Sequence, residues 1–143
     1  MAVKQISVFL ENRPGALKAM TEVLAANQID MRALSLAETT DFGIARLIVD
    51  DVFETATVLK DAGFVNSMTP VVAAAIPDET GGLHQLLEIL SKAEINIEYM
   101  YAFLGGSSDH AYMIFRVEDA KKAEAALRAK GVRCASQEEI AAL

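Results

Sequence analysis

Hydrophobic residues recur along the chain with two alternating periods, one typical of strands and one typical of helices. Near the N-terminus, Ile6, Val8 and Leu10 are separated by more polar residues, and this period of two predicts a β-strand. After Pro14-Gly15, apolar residues recur three and four positions apart, which predicts an amphipathic helix. The pattern predicts six elements up to residue 68: strand 6–10, helix 17–27, strands 31–38 and 43–50, helix 52–62 and strand 64–68.

The second half of the chain repeats the first. Two pairs of segments match at one common spacing: Gly15-Ala16-Leu17 with Gly81-Gly82-Leu83, and Ile29-Asp30-Met31 with Ile95-Asn96-Ile97. The repeat predicts strand 71–76, helix 82–93, strands 97–103 and 111–117, helix 119–130 and strand 132–135. Ser136 has capping-box spacing to Glu139, which predicts a last helical turn. The fold class is therefore α+β. We expect two domains, 1–69 and 70–143, each a ferredoxin-like βαββαβ unit with an antiparallel sheet and helices on one face.

Both faces of the third strand in each unit carry apolar residues. One face should meet the helices: Ala45, Leu47 and Val49 in the first unit, and Met113, Phe115 and Val117 in the second. The other face is too apolar to be left in water: it holds Ile44 and Ile48 beside Arg46, and Tyr112 and Ile114 beside Arg116. Packing of one repeat on the other or a homodimer would cover it. Both remain open, and we favour the homodimer.

Composition narrows the class of protein. The formal net charge is −7 and no basic block occurs, so we expect no nucleic-acid partner. No apolar run reaches the ~20 residues of a membrane span, and the first residues do not resemble a signal peptide, so we expect a cytoplasmic protein. One cysteine, Cys134, and two histidines exclude a disulfide framework and multi-cysteine metal sites. We therefore expect no metal and no cofactor.

One segment resembles a known family. Where the first strand passes into the first helix, residues 10–17 read Leu-Glu-Asn-Arg-Pro-Gly-Ala-Leu. This resembles the signature turn of ACT domains, small ligand-sensing modules that often regulate amino-acid metabolism. Residues 76–83 keep the acidic residue, the Gly and the Leu of that pattern but have Thr80 in place of Pro. The resemblance covers nearly the whole chain and implies a tandem ACT protein with no catalytic domain attached.

Such a turn is suited to an amino acid for physical reasons. Gly15 and Gly81 lack a Cβ, so a ligand can approach the backbone closely. The first N–H groups of a helix lack internal partners and lie at its positive dipole end, which favours a carboxylate. The Asn12 amide or the Asp78 carboxylate could accept hydrogen bonds from an α-ammonium group.

The resemblance also implies a second wall to each site, from the second strand of a neighbouring unit. The complete candidate ligand-binding set is Asn12, Arg13, Pro14, Gly15, Ala16, Leu17, Asp30, Met31, Asp78, Thr80, Gly81, Gly82, Leu83, Asn96 and Ile97. Simpler interpretations stay open. The two glycine turns could be purely structural, Asn12 and Asp78 could be helix caps, and the stripe of Tyr99, Tyr101 and Phe103 could be core or interface.

The function that the resemblance implies is regulatory. No nucleophile–base or acid–base set recurs, so we expect no enzyme and no catalytic residues. We expect a non-catalytic protein that binds a free amino acid at the strand-to-helix turns between ACT units, forms a homodimer and acts on a partner, such as a metabolic enzyme. The alternative is a ligand-free assembly subunit of an amino-acid biosynthetic enzyme, joined to it by the apolar sheet face.

Overall fold

The structure, a computed structural model, describes residues 2–103 and 110–143. They form two compact units, one of Lys4–Thr69 and one mainly of Pro70–Ala141, called here the N-terminal and the C-terminal unit. The elements are β1 (Val3–Glu11), α1 (Ala16–Ala26), β2 (Met31–Glu38), β3 (Phe42–Val49), α2 (Val52–Asp61), β4 (Asn66–Pro77), α3 (Gly82–Lys92), β5 (Tyr99–Ala102), β6 (His110–Arg116), α4 (Ala120–Ala129) and α5 (Gln137–Ala142). The predicted fold class of two ferredoxin-like units is confirmed.

The sheet of the N-terminal unit brings three strand ends together. Its strand order is β2-β3-β1-β4, and β3 pairs antiparallel with both β1 and β2. Gly43 at the start of β3 lies opposite Leu10 on one side and Glu38 on the other. The end of β1, where the chain turns into α1, is therefore beside the β2–β3 turn.

The core of the N-terminal unit lies between this sheet and its two helices. Helix α1 buries Met20 and Leu24, and α2 buries Leu59, all spaced as expected for one apolar helix face. They pack with the inward residues of the strands: Ile6, Val8, Leu10, Ala45, Leu47 and Val49. The predicted inward face of β3 is confirmed.

The C-terminal unit repeats this arrangement. Its strand order is β4-β6-β5, and β6 pairs antiparallel with both neighbours. Phe115 and Val117 are buried against Leu86 and Leu90 of α3 and Leu127 of α4. Met113 is half-buried against the same cluster, so the predicted inward face of β6 is also confirmed.

The opposite faces of β3 and β6 are only partly exposed. Ile48 and Ile114 are fully buried within the single chain, and Tyr112 is nearly so. These residues therefore need no second chain to remove them from water. By contrast, Phe9 and Phe42, on the same face of the N-terminal sheet as Ile44, are 47% and 59% exposed. The homodimer stays a prediction.

Four predicted strands differ from the structure. Strands 64–68 and 71–76 are one strand, β4, which continues through Pro70. Proline has no N–H to donate to a ladder, and a strand tolerates it where no donor is needed. The strand over 132–135 is wrong, because only Cys134 forms a bridge, with Ala74. The strand over 97–103 is shorter, since Ile97 packs into the core before the pairing of β5 begins.

Helix caps explain where three of the helices start. Asp51 and Asp119, just before α2 and α4, each accept a hydrogen bond from the backbone N–H three residues on, at 3.1 Å in both helices. The predicted capping box before α5 is confirmed, because Ser136 and Glu139 exchange side-chain to backbone hydrogen bonds.

The buried thiol of Cys134 gives a pH-dependent prediction. Burial raises its pKa to about 11, with a smaller contribution from the Glu124 carboxylate, whereas an unfolded thiol titrates near ~8.5. The folded state therefore resists ionisation, so this stabilisation is complete below about pH 8.5 and is lost as the pH rises toward about 11. We expect the free energy of unfolding to fall more steeply between these pH values in the wild type than in Cys134→Ala.

Thiol labelling provides a second measurement on the same residue. At pH 8 the native thiol should react more than about tenfold more slowly than the thiol of the protein unfolded in guanidinium, because it is buried and protonated. Equal rates in the two states would contradict the burial of Cys134.

Candidate functional site

The turn between β1 and α1 starts the helix without a capping side chain. Gly15 occupies the N-cap position with φ 86°, in the left-handed region, and no side chain accepts a hydrogen bond from the first helical turn. The turn between β4 and α3 is the same, with Gly81 at φ 87° and no side-chain cap. Asn12 and Asp78 are therefore not helix caps, and that simpler interpretation is wrong.

The two turns also share their backbone hydrogen bonds. In the first, Arg13 N donates to Glu11 O at 2.9 Å and Ala16 N donates to Arg13 O at 3.3 Å. In the second, Glu79 N donates to Pro77 O at 2.9 Å and Gly82 N donates to Glu79 O at 3.1 Å. Thr80 therefore supports the same turn as Pro14, although it lacks the ring that fixes φ.

Each of these helices begins with unpartnered donors. Within the described ranges, the backbone N–H groups of Leu17 and Lys18 have no hydrogen-bond partner, nor do those of Leu83 and His84. A capping side chain would normally satisfy such groups, and both turns lack one. The first turn of each helix is therefore open to an acceptor from outside the chain.

Asn12 ties the first turn to the β2–β3 turn. Its side-chain nitrogen lies within hydrogen-bond distance of Glu38 Oε2, Thr39 O and Thr40 O, at 3.1, 3.2 and 3.3 Å, and its backbone N–H donates to Asp41 O at 3.1 Å. The amide oxygen of Asn12 accepts no hydrogen bond from the described residues. Asn12 thus holds two loops together with its nitrogen and leaves its oxygen as an acceptor.

A cleft of about 320 Å³ opens beside this turn, entirely within the N-terminal unit. Its lining comes from the end of β1, the start of α1 and the β2–β3 hairpin: Leu10, Glu11, Asn12, Arg13, Ala16, Leu17, Leu36, Glu38 and Gly43. Of the predicted residues around this turn, Asn12, Arg13, Ala16 and Leu17 line the cleft, and Pro14 and Gly15 shape the turn that borders it.

Sequence reasoning missed the opposite wall. Leu36, Glu38 and Gly43 reach the cleft because β3 pairs with both β1 and β2. The βαββαβ plan contained a signal for this, since its third strand lies between the first and second, and the hairpin turn then has to come beside the end of the first strand.

The lining of this cleft combines both charges with an apolar surface. Arg13 Nε and Glu11 Oε2 form an exposed ion pair at 2.6 Å. The Glu38 carboxylate lies on the far wall, where its Oε2 accepts from Asn12. Leu10 and Leu17 supply aliphatic surface. An anion can therefore be held near the start of α1, a cation near Glu38, and a hydrocarbon group between them.

Asp30 and Met31 lie elsewhere in the unit. They are at the start of β2, whose 8 residues separate them by about 25 Å from the β2–β3 turn. Asp30 Oδ2 forms an ion pair with Arg32 Nη1 at 2.6 Å, and Met31 packs against the core. The structure does not bring them to the Asn12 turn of their own unit. Their role as the wall of a neighbouring site stays a prediction.

Asn96 and Ile97 are likewise away from the Gly81 turn. Asn96 lines a separate cleft of about 440 Å³ among acidic residues, and Ile97 packs into the core. At the turn itself, a Cβ on Gly82 would overlap the carbonyl oxygen of Pro77, so this position requires glycine where the first turn has Ala16. Leu83 is partly exposed, and the side chain of Asp78 has no partner among the described residues.

The described part of the chain holds neither a group of metal ligands nor a membrane-spanning helix. Among residues 2–103 and 110–143, no three His, Cys, Asp or Glu side chains are grouped so as to hold a metal ion. None of the helices in these residues is long and apolar enough to cross a lipid bilayer.

Comparison with known proteins identifies what the chain is similar to. The family model for an ACT domain pair matches residues 1–143. Protein BT0572 from Bacteroides thetaiotaomicron is 37% identical, with a TM-score of 0.92 over 100% of this chain and 98% of that one. The regulatory subunits of aspartate kinase from Thermus thermophilus and Thermus flavus share the fold. The first is 19% identical, with a TM-score of 0.70 over 92% of each chain. The second is 16% identical, with a TM-score of 0.62 over 90% of this chain and 92% of that one. No curated protein matches in sequence.

The left-handed turn at Gly15 can be tested with a matched control. Gly63, which follows α2, has φ 90° against 86° at Gly15, and an added Cβ meets nothing within 4 Å at either position. Alanine at Gly15 or Gly63 should therefore lower the free energy of unfolding by a similar amount, about 1–2 kcal/mol, through backbone strain alone. Chemical denaturation would measure this. No loss in Gly15→Ala would contradict the left-handed turn.

Proposed function

The chain belongs to the ACT domain-pair family, and we propose that it is a non-catalytic regulatory protein that binds a free amino acid in the cleft beside Asn12. The observation that carries this proposal is the junction of that cleft with two unpartnered backbone donors, the N–H groups of Leu17 and Lys18. A free amino acid presents a carboxylate and an ammonium group a few ångströms apart, and the cleft has separate partners for each.

The carboxylate of the ligand binds at the start of α1 in this proposal. There it accepts hydrogen bonds from the free N–H groups and lies at the positive end of the helix dipole. The left-handed conformation of Gly15 supports the proposal, because it starts the helix without a side chain over these donors. Arg13, beside the cleft, adds a positive charge on the same side.

The ammonium group binds on the opposite wall. The free oxygen of Asn12 and the Glu38 carboxylate would both accept hydrogen bonds from the ammonium group, and the contact between Asn12 and Glu38 holds them together. A charge-assisted hydrogen bond of this kind is stronger than a neutral one. The Asp78 turn of the C-terminal unit is the second predicted site, and its carboxylate would take the place of Asn12.

Regulation by the bound amino acid would act on a partner. Two of the proteins that share this fold are named as regulatory subunits of aspartate kinase, and we propose by analogy that this chain acts on a protein of amino-acid metabolism in the cytoplasm. A homodimer formed through the exposed outer face around Phe9 and Phe42 is part of the proposal. The same exposed face favours the second candidate function, a ligand-free assembly subunit.

Charge neutralisation at Glu38 tests the ammonium site. The wild type should be stabilised against heat by at least one of the twenty amino acids, since a ligand of the native state raises its stability. Glu38→Gln keeps the shape of the side chain and removes its charge, so it should weaken that binding about tenfold, or about 1.4 kcal/mol. Isothermal titration calorimetry would measure the change.

The control for this variant is Glu118→Gln, which makes the same chemical change on an exposed residue of the C-terminal unit. It should bind the amino acid as the wild type does. If no amino acid stabilises the cooperatively folded wild type, the binding proposal fails. Co-purification of a metabolic enzyme with the wild-type chain, lost in Phe42→Asp, would then favour the assembly subunit.

A further inference from the structure

Gly43 lies in the cleft at a position where the fold itself does not require glycine. Its φ is outside the left-handed region, and a Cβ added there would meet Leu36 Cδ1 at 3.5 Å, Ala37 O at 3.6 Å and Leu10 O at 4.0 Å. These are ordinary van der Waals contacts. Glycine weakens a strand through its extra conformational freedom, so alanine would be the better residue for β3 alone.

The register of the sheet places this glycine in the floor of the cleft. Leu10, Gly43 and Glu38 lie in one row across β1, β3 and β2, on the face that carries the helices. The next row toward the core contains Leu36. The lining of the cleft includes all four residues and the start of α1 opposite them. A side chain at residue 43 would therefore extend into the space between the hairpin and the helix.

The apolar part of the cleft surrounds Gly43, which is buried although it has no side chain. Leu10 is almost fully buried, Leu17 is packed against the core, and Leu36 is 53% exposed although it is on the inward face of the sheet. The charged and amide groups of the cleft come from the β1–α1 turn and from Glu38. An aliphatic group placed over Gly43 would cover the exposed part of Leu36.

We propose that Gly43 determines the specificity of this cleft, leaving room for the aliphatic side chain of an amino acid to lie against Leu10, Leu17 and Leu36. This inference rests on the proposed function, and it adds the class of ligand: amino acids with branched aliphatic side chains. A cleft of about 320 Å³ is at the small end of ligand sites, which suits a free amino acid of this size.

The first experiment compares ligands on the full-length wild type by calorimetry. The probes are L-leucine, L-isoleucine, L-valine, L-alanine, glycine and L-lysine. We expect at least one branched amino acid to bind about tenfold or more tightly than alanine, glycine and lysine, since each added methylene in an apolar site contributes a large factor. Preference for lysine would overturn the inference and assign the cleft to a cationic side chain that pairs with Glu38.

The second experiment substitutes Gly43 in the floor of the cleft. Gly43→Ala should melt at the same temperature as the wild type or higher, because alanine fits the strand, but it should bind the preferred branched amino acid at least about tenfold more weakly. Binding of alanine or glycine should change less. Wild-type affinity for the branched ligand in a folded Gly43→Ala protein would overturn the role of Gly43.

Leu36→Ala provides an independent variant, because Leu36 is half-exposed and its loss leaves the core intact. It should weaken the branched ligand severalfold and leave alanine nearly unchanged. Its matched control is Leu143→Ala, which truncates a leucine that is 45% exposed in the C-terminal unit, belongs to neither glycine turn, and should leave the affinity unchanged. Binding of a polar amino acid in preference would overturn only the aliphatic class, whereas binding of no amino acid would overturn the proposed function as well.

Discussion

The backbone conformation of two glycines is the constraint on which the candidate site depends. Gly15 and Gly81 turn the chain from a strand into a helix with φ near 86°, a conformation that costs other residues about 1–2 kcal/mol. This turn starts each helix directly, with no side chain folded back over its first N–H groups. The left-handed glycine that makes the turn tight therefore also leaves the first backbone N–H groups of α1 free where the cleft opens.

Asn12 gives this geometry its rigidity. The side chain reaches from the β1–α1 turn to Glu38, Thr39 and Thr40, so the two walls of the cleft are linked by direct hydrogen bonds. A small cleft formed by loops from separate elements needs such a link, because loop positions are otherwise the most mobile in a domain. The preorganised walls reduce the ordering cost that a small ligand has to overcome.

Much of this architecture follows from local patterns in the sequence. The hydrophobic periods and the internal repeat predicted the helices and the turn glycines, and the spacing of Ser136 and Glu139 predicted the capping box, because each of these features depends on residues close together in the chain. Strand ends were less predictable, since pairing decides them. Pro70 interrupts a pattern without interrupting β4, and Cys134 follows a strand-like stretch that pairs at one position only.

The residues of the opposite cleft wall were missed for the same reason, because strand pairing decides where they lie. Leu36, Glu38 and Gly43 carry no motif, and their place beside Asn12 follows from strand register, which the pattern of a single strand does not fix. Asp30 and Met31 show the reverse case. The resemblance nominated them for a site completed by a neighbouring unit, whereas in their own unit they hold an ion pair and a core contact.

The position of the cleft-lining residues in the sequence determines when during protein synthesis the cleft can form. Every lining residue lies between Leu10 and Gly43, and the N-terminal unit is complete at Thr69. The ribosome therefore adds all of these residues before it reaches the C-terminal unit. At a translation rate of roughly 5–20 residues per second, synthesis of the residues after Thr69 takes several seconds. That time is far longer than a small domain needs to close a loop or form a hairpin. An amino acid abundant in the cell would meet the nascent N-terminal unit before the rest of the chain exists.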